Sequence, residues 1–147
     1  REAETGNPNK IQFPRSLMGK KSLEFSFSGL KTSLLYFMDD FKEDGEITIN
    51  DIIASYQQAI VDVLVEKLKR AVLKTKVNSC VIAGGVASNR CLREQIAIEL
   101  PNINIIFPDF SYCTDNAAMV SYLGQLKIQS NSYSPLNFSV KPNLKLV

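Results

Sequence analysis

Apolar and polar positions along the chain fall into short blocks with distinct periods. Leu23-Glu24-Phe25-Ser26-Phe27-Ser28 alternates, which predicts a strand with one buried face, and Gly29 ends it. From Leu30 to Phe41 the apolar residues return at helical spacing, and Glu43-Asp44-Gly45 reads as a turn. Thr48 to Thr75 is the strongest periodic segment. Ile52, Ile53, Tyr56, Ile60, Val63, Leu64, Leu68, Ala71 and Val72 recur at steps of three and four, and Thr48 or Asn50 can cap the helix start. Asn78 to Ala83 is a short apolar run that predicts a strand. Gly84-Gly85 follows, and Val86 to Leu100 has helical spacing. Asn102 to Phe107 predicts a second strand, stopped by Pro108. Thr114 to Lys127 predicts a final helix with Thr114 as cap and Asp115 in the first turn.

A strand, a helix and a strand of these lengths imply parallel pairing with a right-handed crossover, so the class is α/β. Residues 1–22 are polar, with Gly6, Pro8, Pro14 and Gly19, and read as a linker. Residues 23–129 read as the structured lobe, and the Ser/Asn/Pro-rich residues 130–147 as a tail.

Composition narrows the function. The chain has 147 residues, 45% hydrophobic and 22% charged, which fits one domain or one lobe of a larger protein. A net charge of +2 does not by itself argue for nucleic acid. Lys67, Lys69, Arg70, Lys74 and Lys76 form a local basic run, read as a solvated helix face. Cys80, Cys91 and Cys113 are odd in number and lack a CxxC spacing, so they read as reduced thiols in a cytoplasmic protein. No run of about eighteen apolar residues marks a membrane span, and no signal peptide is visible. The absence of a start methionine at Arg1 reads as a fragment. There is no histidine, which removes Ser-His and Cys-His chemistry from these residues. Metal chemistry here needs carboxylates or ligands supplied from elsewhere.

Three segments carry candidate chemistry. In Val81-Ile82-Ala83-Gly84-Gly85-Val86-Ala87-Ser88-Asn89-Arg90, a strand runs into two glycines and then a helix. That order permits close backbone approach by a ligand, with helix N–H groups beside it. It is neither GxGxxG nor a Walker loop. Asn89 either meets a ribose or base or caps the turn. In Phe25-Ser26-Phe27-Ser28-Gly29-Leu30-Lys31-Thr32, hydroxyls, a glycine and a lysine either hold phosphate oxygens or form an ordinary polar strand face. In Tyr112-Cys113-Thr114-Asp115-Asn116-Ala117-Ala118-Met119, Asp115 either complements a helix dipole or ligates a metal.

Taken in order, FSFSGLKT, AGGVASNRCLR and CTDNAAM resemble the TsaD family of tRNA threonylcarbamoyltransferases. Phe13-Pro14-Arg15 and Ser139-Val140-Lys141-Pro142 are also similar to the family, and the resemblance runs from about Gly6 to Lys127. It implies the C-terminal portion of a two-lobe enzyme with the actin-like ATPase (ASKHA, ribonuclease H-like) fold. It implies transfer of threonylcarbamoyl from threonylcarbamoyl-AMP to N6 of the adenosine next to the anticodon, in tRNAs reading codons that start with A. The ligand is threonylcarbamoyl-AMP or ATP, with one iron or zinc ion per full-length subunit. The implied partners are tRNA and the TsaB-type and TsaE-type subunits, with no membrane. Residue by residue, Gly84 and Gly85 match the glycines against which the nucleotide packs. Asn89 matches the asparagine that contacts the adenylate, and Asp115 the metal-ligand aspartate. No catalytic residue is assigned. The family's other metal ligands, two histidines four apart on an N-terminal helix, are absent, so the fragment alone is expected to be inactive. The alternatives are an actin-like kinase lobe and a non-catalytic partner subunit of the modification complex.

Overall fold

The computed structural model describes residues 2–16, 18–19, 22–42 and 45–139. Among the described residues, four α-helices and two strands run in the order α1 (Ser28–Asp40), α2 (Ile49–Thr75), β1 (Ser79–Val81), α3 (Arg90–Glu99), β2 (Asn104–Ile106) and α4 (Ala117–Gln129). They form two compact units, Arg1–Cys113 and Thr114–Val147.

Helix α2 organises the first unit. It starts at a capping box: the Thr48 hydroxyl accepts from the Asp51 N–H at 3.2 Å, and the Asp51 carboxylate accepts from the Thr48 N–H at 2.9 Å. It ends where Lys76 turns into the left-handed region (φ 56°) and its N–H returns to the Val72 carbonyl at 2.7 Å. Buried residues of α2 enter two separate core clusters. Ile52 and Ala59 pack with Phe13 and Leu30, around edge-on contacts of Phe13 with Phe37 and Tyr56 at 5.7 and 5.6 Å. Val61 and Val65 pack with Leu92 and Ile96 of α3, with Ile105 and Phe107 against them.

The strands pair in parallel, Ser79 with Asn104, Cys80 with Ile105 and Val81 with Ile106, as the strand-helix-strand pattern predicts. Ile82 and Ile105 face the α2–α3 cluster. Val81 and Ile106, paired in the ladder, are exposed.

Apart from Ile11 and Phe13, which enter the first core cluster, residues 2–16 find many of their partners among polar groups of α2. The Asn7 N–H donates to Asp51 at 2.7 Å, the Ile11 N–H to the Ser55 hydroxyl at 3.1 Å, and that hydroxyl to the Asn7 carbonyl at 3.1 Å. Arg15 reaches Asp62 with two nitrogens, at 2.9 and 3.0 Å. A Cβ at Gly6 would stand 2.0 Å from the Asn50 carbonyl oxygen, so only glycine allows this approach. The segment with linker-like composition is thus fastened along the central helix.

The structure corrects several expectations. Residues 24–27 form no strand, because no partner among the described residues offers them a ladder. The helix expected from Val86 starts at Arg90, after a 3-10 turn at Gly85–Ser88, because Asn89 is extended and caps it. The helix expected from Thr114 starts at Ala117. Asn116, rather than Thr114, caps it by accepting from the Met119 N–H at 3.0 Å, so Asp115 precedes the helix instead of lying in its first turn. The basic run of α2 is not a uniformly solvated face. Lys67 is buried and donates to the Ser22 carbonyl at 2.9 Å, Lys69 pairs with Glu99 at 2.6 Å, and Arg70 pairs with Glu66 at 2.6 Å and donates to the Met18 carbonyl. A helix with neighbours on several sides leaves few positions to solvent. Of the expected turn 43–45, only Gly45 (φ 91°) is described; Glu43, Asp44 and residues 140–147 lie outside the described residues. Among the described residues no helix is long and apolar enough to cross a membrane.

Two tests follow from this docking. Ser55→Ala leaves the Ile11 N–H without a partner and removes one of the two donors to the Asn7 carbonyl, which keeps the Lys10 N–H at 3.2 Å; it is expected to cost about 1–3 kcal/mol, read from the urea unfolding midpoint. The Asn7 and Thr48 N–H groups hold the Asp51 carboxyl below its usual range. A depressed carboxylate stabilises the fold above its unfolded pKa, and that contribution disappears as pH falls through the lower folded value. Amide exchange at Asn7 should therefore accelerate, after correction for intrinsic rates, as pH drops below about 4. Asp51→Asn should flatten the dependence.

Candidate functional site

The candidate site begins where β1 ends. The Ile82 N–H still bonds the Ile106 carbonyl at 3.0 Å, and two residues later Gly84 takes φ 93°, ψ 172°, a conformation that a side chain would strain. No atom within 4 Å would meet a Cβ there, so the backbone angle, and not crowding, calls for glycine. The 3-10 turn Gly85–Ser88 is closed by the Ala87 N–H on the Gly84 carbonyl and the Asn89 N–H on the Val86 carbonyl, both at 3.0 Å. The Ser88 hydroxyl adds a bond to the Gly85 carbonyl at 2.7 Å.

Asn89 leaves the turn with both ends of its side chain engaged. Oδ1 accepts from the Leu92 N–H at 2.9 Å and caps α3, while Nδ2 donates to Gln57 Oε1 of α2 at 2.9 Å. Two clefts share this pair in their walls. One, of about 440 Å³, has mainly apolar walls that include Ile53, Tyr56, Ile60 and Leu64 of α2, with Gly85 and Val86 of the turn. The other, of about 680 Å³, is more polar and includes Glu4, Gln58, Arg90 and Glu94. Gln57, Ser88 and Asn89 line both. Cys91 borders the polar cleft, and burial pushes its thiol above the ordinary value.

Arg93 ties the turn to the loop after β2. Its Nε donates to the Ala87 carbonyl at 2.6 Å, and one terminal nitrogen donates to the Pro108 carbonyl at 2.8 Å and to Cys113 Sγ at 3.3 Å. The guanidinium also lies over the rings of Phe107 and Phe110, 4.6 and 4.1 Å from their centroids.

The sequence matches the family described as "TsaD: tRNA N6-adenosine threonylcarbamoyltransferase" over residues 1–122. The chain belongs to the TsaD family. Curated proteins carrying the name tRNA N6-adenosine threonylcarbamoyltransferase are similar along almost its whole length. One from Thermosipho africanus is 41% identical over 98% of this chain and 44% of its own. Others from Clostridium beijerinckii and Kosmotoga olearia are 42% and 43% identical, over 98% and 99% of this chain and 43% of each relative. The chain thus spans less than half the length of these relatives.

Of the residues that the TsaD resemblance singles out, Gly84, Gly85 and Asn89 all lie in the turn between β1 and α3 of the first unit, and Asp115 belongs to the second. Asp115 is exposed in the loop just ahead of α4. Among the described residues no three His, Cys, Asp or Glu side chains come together to hold a metal ion. One exposed carboxylate does not make a metal site, so these residues fit the family's metal only as contributors to a set completed from elsewhere. Ser28 and Lys31 lie in the first turn of α1 and are exposed. Sequence reasoning overlooked Gln57 and Arg93. Gln57 gives no signal on an amphipathic helix. Arg93 closes the AGGVASNRCLR segment, and its helical offset from the turn was the available clue.

Arg93→Met should lower stability by about 2–3 kcal/mol, since a charged donor to two carbonyls and two ring contacts are lost together. Arg93→Lys should recover only part, because a point charge cannot bridge both carbonyls as the planar fork does. Denaturant midpoints of the two variants check both statements.

Proposed function

We propose that this chain is the C-terminal, adenylate-holding portion of a tRNA N6-adenosine threonylcarbamoyltransferase with the actin-like ATPase fold. The observation that carries the reading is Gly84 at φ 93° just beyond a parallel strand, followed by Gly85 on the wall of a mainly apolar cleft of about 440 Å³. Ligands of open α/β sheets sit beyond the carboxyl ends of strands, where the backbone must leave room. Membership of the TsaD family gives that geometry its chemistry.

In the proposed reaction, the N6 amine of the tRNA adenosine attacks the carbamoyl carbon of threonylcarbamoyl-AMP. The new C–N bond forms, the C–O bond to the AMP phosphate breaks with its electron pair on oxygen, and the amine gives up a proton. AMP is the leaving group, and the Gly84-Gly85 turn holds its adenosine. This chain therefore contributes orientation of the adenylate, which lowers the entropic part of the barrier. Asp115 supplies one oxygen ligand to an iron or zinc ion whose remaining ligands lie outside these histidine-free residues. Such an ion supplies Lewis-acid polarisation when bound. The proposed macromolecular partners are the tRNA and TsaB-type and TsaE-type subunits.

The test uses the full-length protein that carries this segment. Gly84→Ala should strain the turn by about 1–2 kcal/mol and weaken AMP binding roughly tenfold with metal content unchanged. Asp115→Ala should do the reverse, abolishing metal retention and formation of N6-threonylcarbamoyladenosine while AMP still binds. Normal metal content in Asp115→Ala would remove that assignment, and full AMP affinity in Gly84→Ala would remove the other. The 147 residues expressed alone are expected to give no transfer in the same assay.

A further inference from the structure

The hydrogen bonds around Asn89 fix more than its own position. A backbone N–H can only donate, so the Leu92 N–H at 2.9 Å requires that the atom facing it be the Asn89 oxygen. The Asn89 nitrogen then points the other way, and at 2.9 Å from Gln57 it requires an acceptor there. That settles the Gln57 amide in turn: its oxygen faces Asn89, and its NH2 group faces away. Among the described residues nothing accepts from Gln57 Nε2. Gln57 lines both the apolar cleft beside Gly85 and the polar cleft. A half-buried donor held in one orientation at the edge of an apolar slot is an arrangement that reads a ligand.

We infer that Gln57 is the side chain that reads the base of the bound adenylate, donating from Nε2 to a ring nitrogen of the purine, and that Asn89 is the positioning residue that aims it. The inference rests on adenylate binding at the Gly84-Gly85 turn. The walls of the smaller cleft argue for the base as the group it holds. Ile53, Tyr56, Ile60 and Leu64 offer apolar surface that suits the faces of a flat ring and offers little to a phosphate. A purine presents its acceptors along its edge, where a side-chain amide at the rim can meet one of them. A pyrimidine would leave part of the slot unfilled. Asn89, with one end given to the cap and the other to Gln57, holds the Gln57 amide in this orientation.

The decisive experiment is a cycle of protein and ligand changes on the full-length protein, with AMP and its 1-deaza, 3-deaza and 7-deaza analogues as probes in calorimetric titrations. Each analogue replaces one ring nitrogen by C–H. Gln57→Glu keeps an oxygen for Asn89 Nδ2 and removes the donor. Its added charge weakens AMP and the analogues alike and cancels in their ratio. The expected result is that wild type binds one analogue about three- to tenfold less tightly than AMP, the range of one neutral hydrogen bond. Gln57→Glu should bind that analogue and AMP with equal affinity. Asn89→Asp, which keeps the capping oxygen and loses the donor to Gln57, frees the glutamine to rotate and should likewise erase the discrimination. It serves as the second arm if Gln57→Glu does not fold. An equal loss in wild type and variants, or no loss with any analogue, overturns the inference. Gly84→Ala separates the two levels. If it lowers AMP affinity while the cycle is flat, the turn holds the adenylate and only the role of Gln57 fails. If it leaves AMP affinity intact, the premise fails and the inference with it.

Discussion

Everything in the first unit depends on α2 having several packed sides at once. A helix on the surface of a small domain usually buries one stripe. Here Ile52 and Ala59 serve one cluster, Val61 and Val65 serve another, and Ser55, Asp51 and Asp62 hold the N-terminal segment by its backbone and by Arg15. Two hydrophobic clusters at successive heights of one rod, with polar ties between them, set the line along which the other elements attach. The capping box at Thr48 and the left-handed exit at Lys76 define where that rod begins and ends.

This arrangement places the candidate site. Helix α3 packs on α2 through Leu92 and Ile96, and the turn that precedes α3 is therefore carried to the side of α2 where Gln57 projects. The clefts beside the turn exist because two helices and a left-handed glycine meet there without filling the space. Polar residues at that junction are bonded in series: the Leu92 backbone to Asn89, and Asn89 to Gln57. Such a chain fixes orientation more firmly than any one member could, since each amide is held at one end before it acts at the other.

Much of this was legible in the residues. The period of α2, the parallel pairing of β1 and β2 and the glycine turn between them all follow from local patterns that tertiary contacts reinforce, and of the two cap candidates Thr48 and Asn50 the structure selects Thr48. What was not legible has a common cause. Leu23 to Ser28 alternates like a strand, yet alternation describes one face and says nothing of a ladder partner. Residues 2–16 are polar like a linker, but composition cannot distinguish groups bonded to water from groups bonded to a helix. Asn116 took the cap expected of Thr114, and α3 starts at Arg90 rather than Val86, because the residue that caps is decided by backbone angles at that position. Of the candidate site, the glycines and Asn89 stood out by motif, whereas Gln57, 32 residues away in sequence, became visible only through its bond to Asn89.

The Arg93 guanidinium joins the Ala87 carbonyl of the glycine turn to the Pro108 carbonyl of the loop after β2, with Phe107 and Phe110 stacked around it. Two stretches of backbone that share one rigid fork cannot loosen separately without breaking the same bonds. Opening either the glycine turn or the loop therefore draws on the same set of contacts, which couples the two stretches energetically.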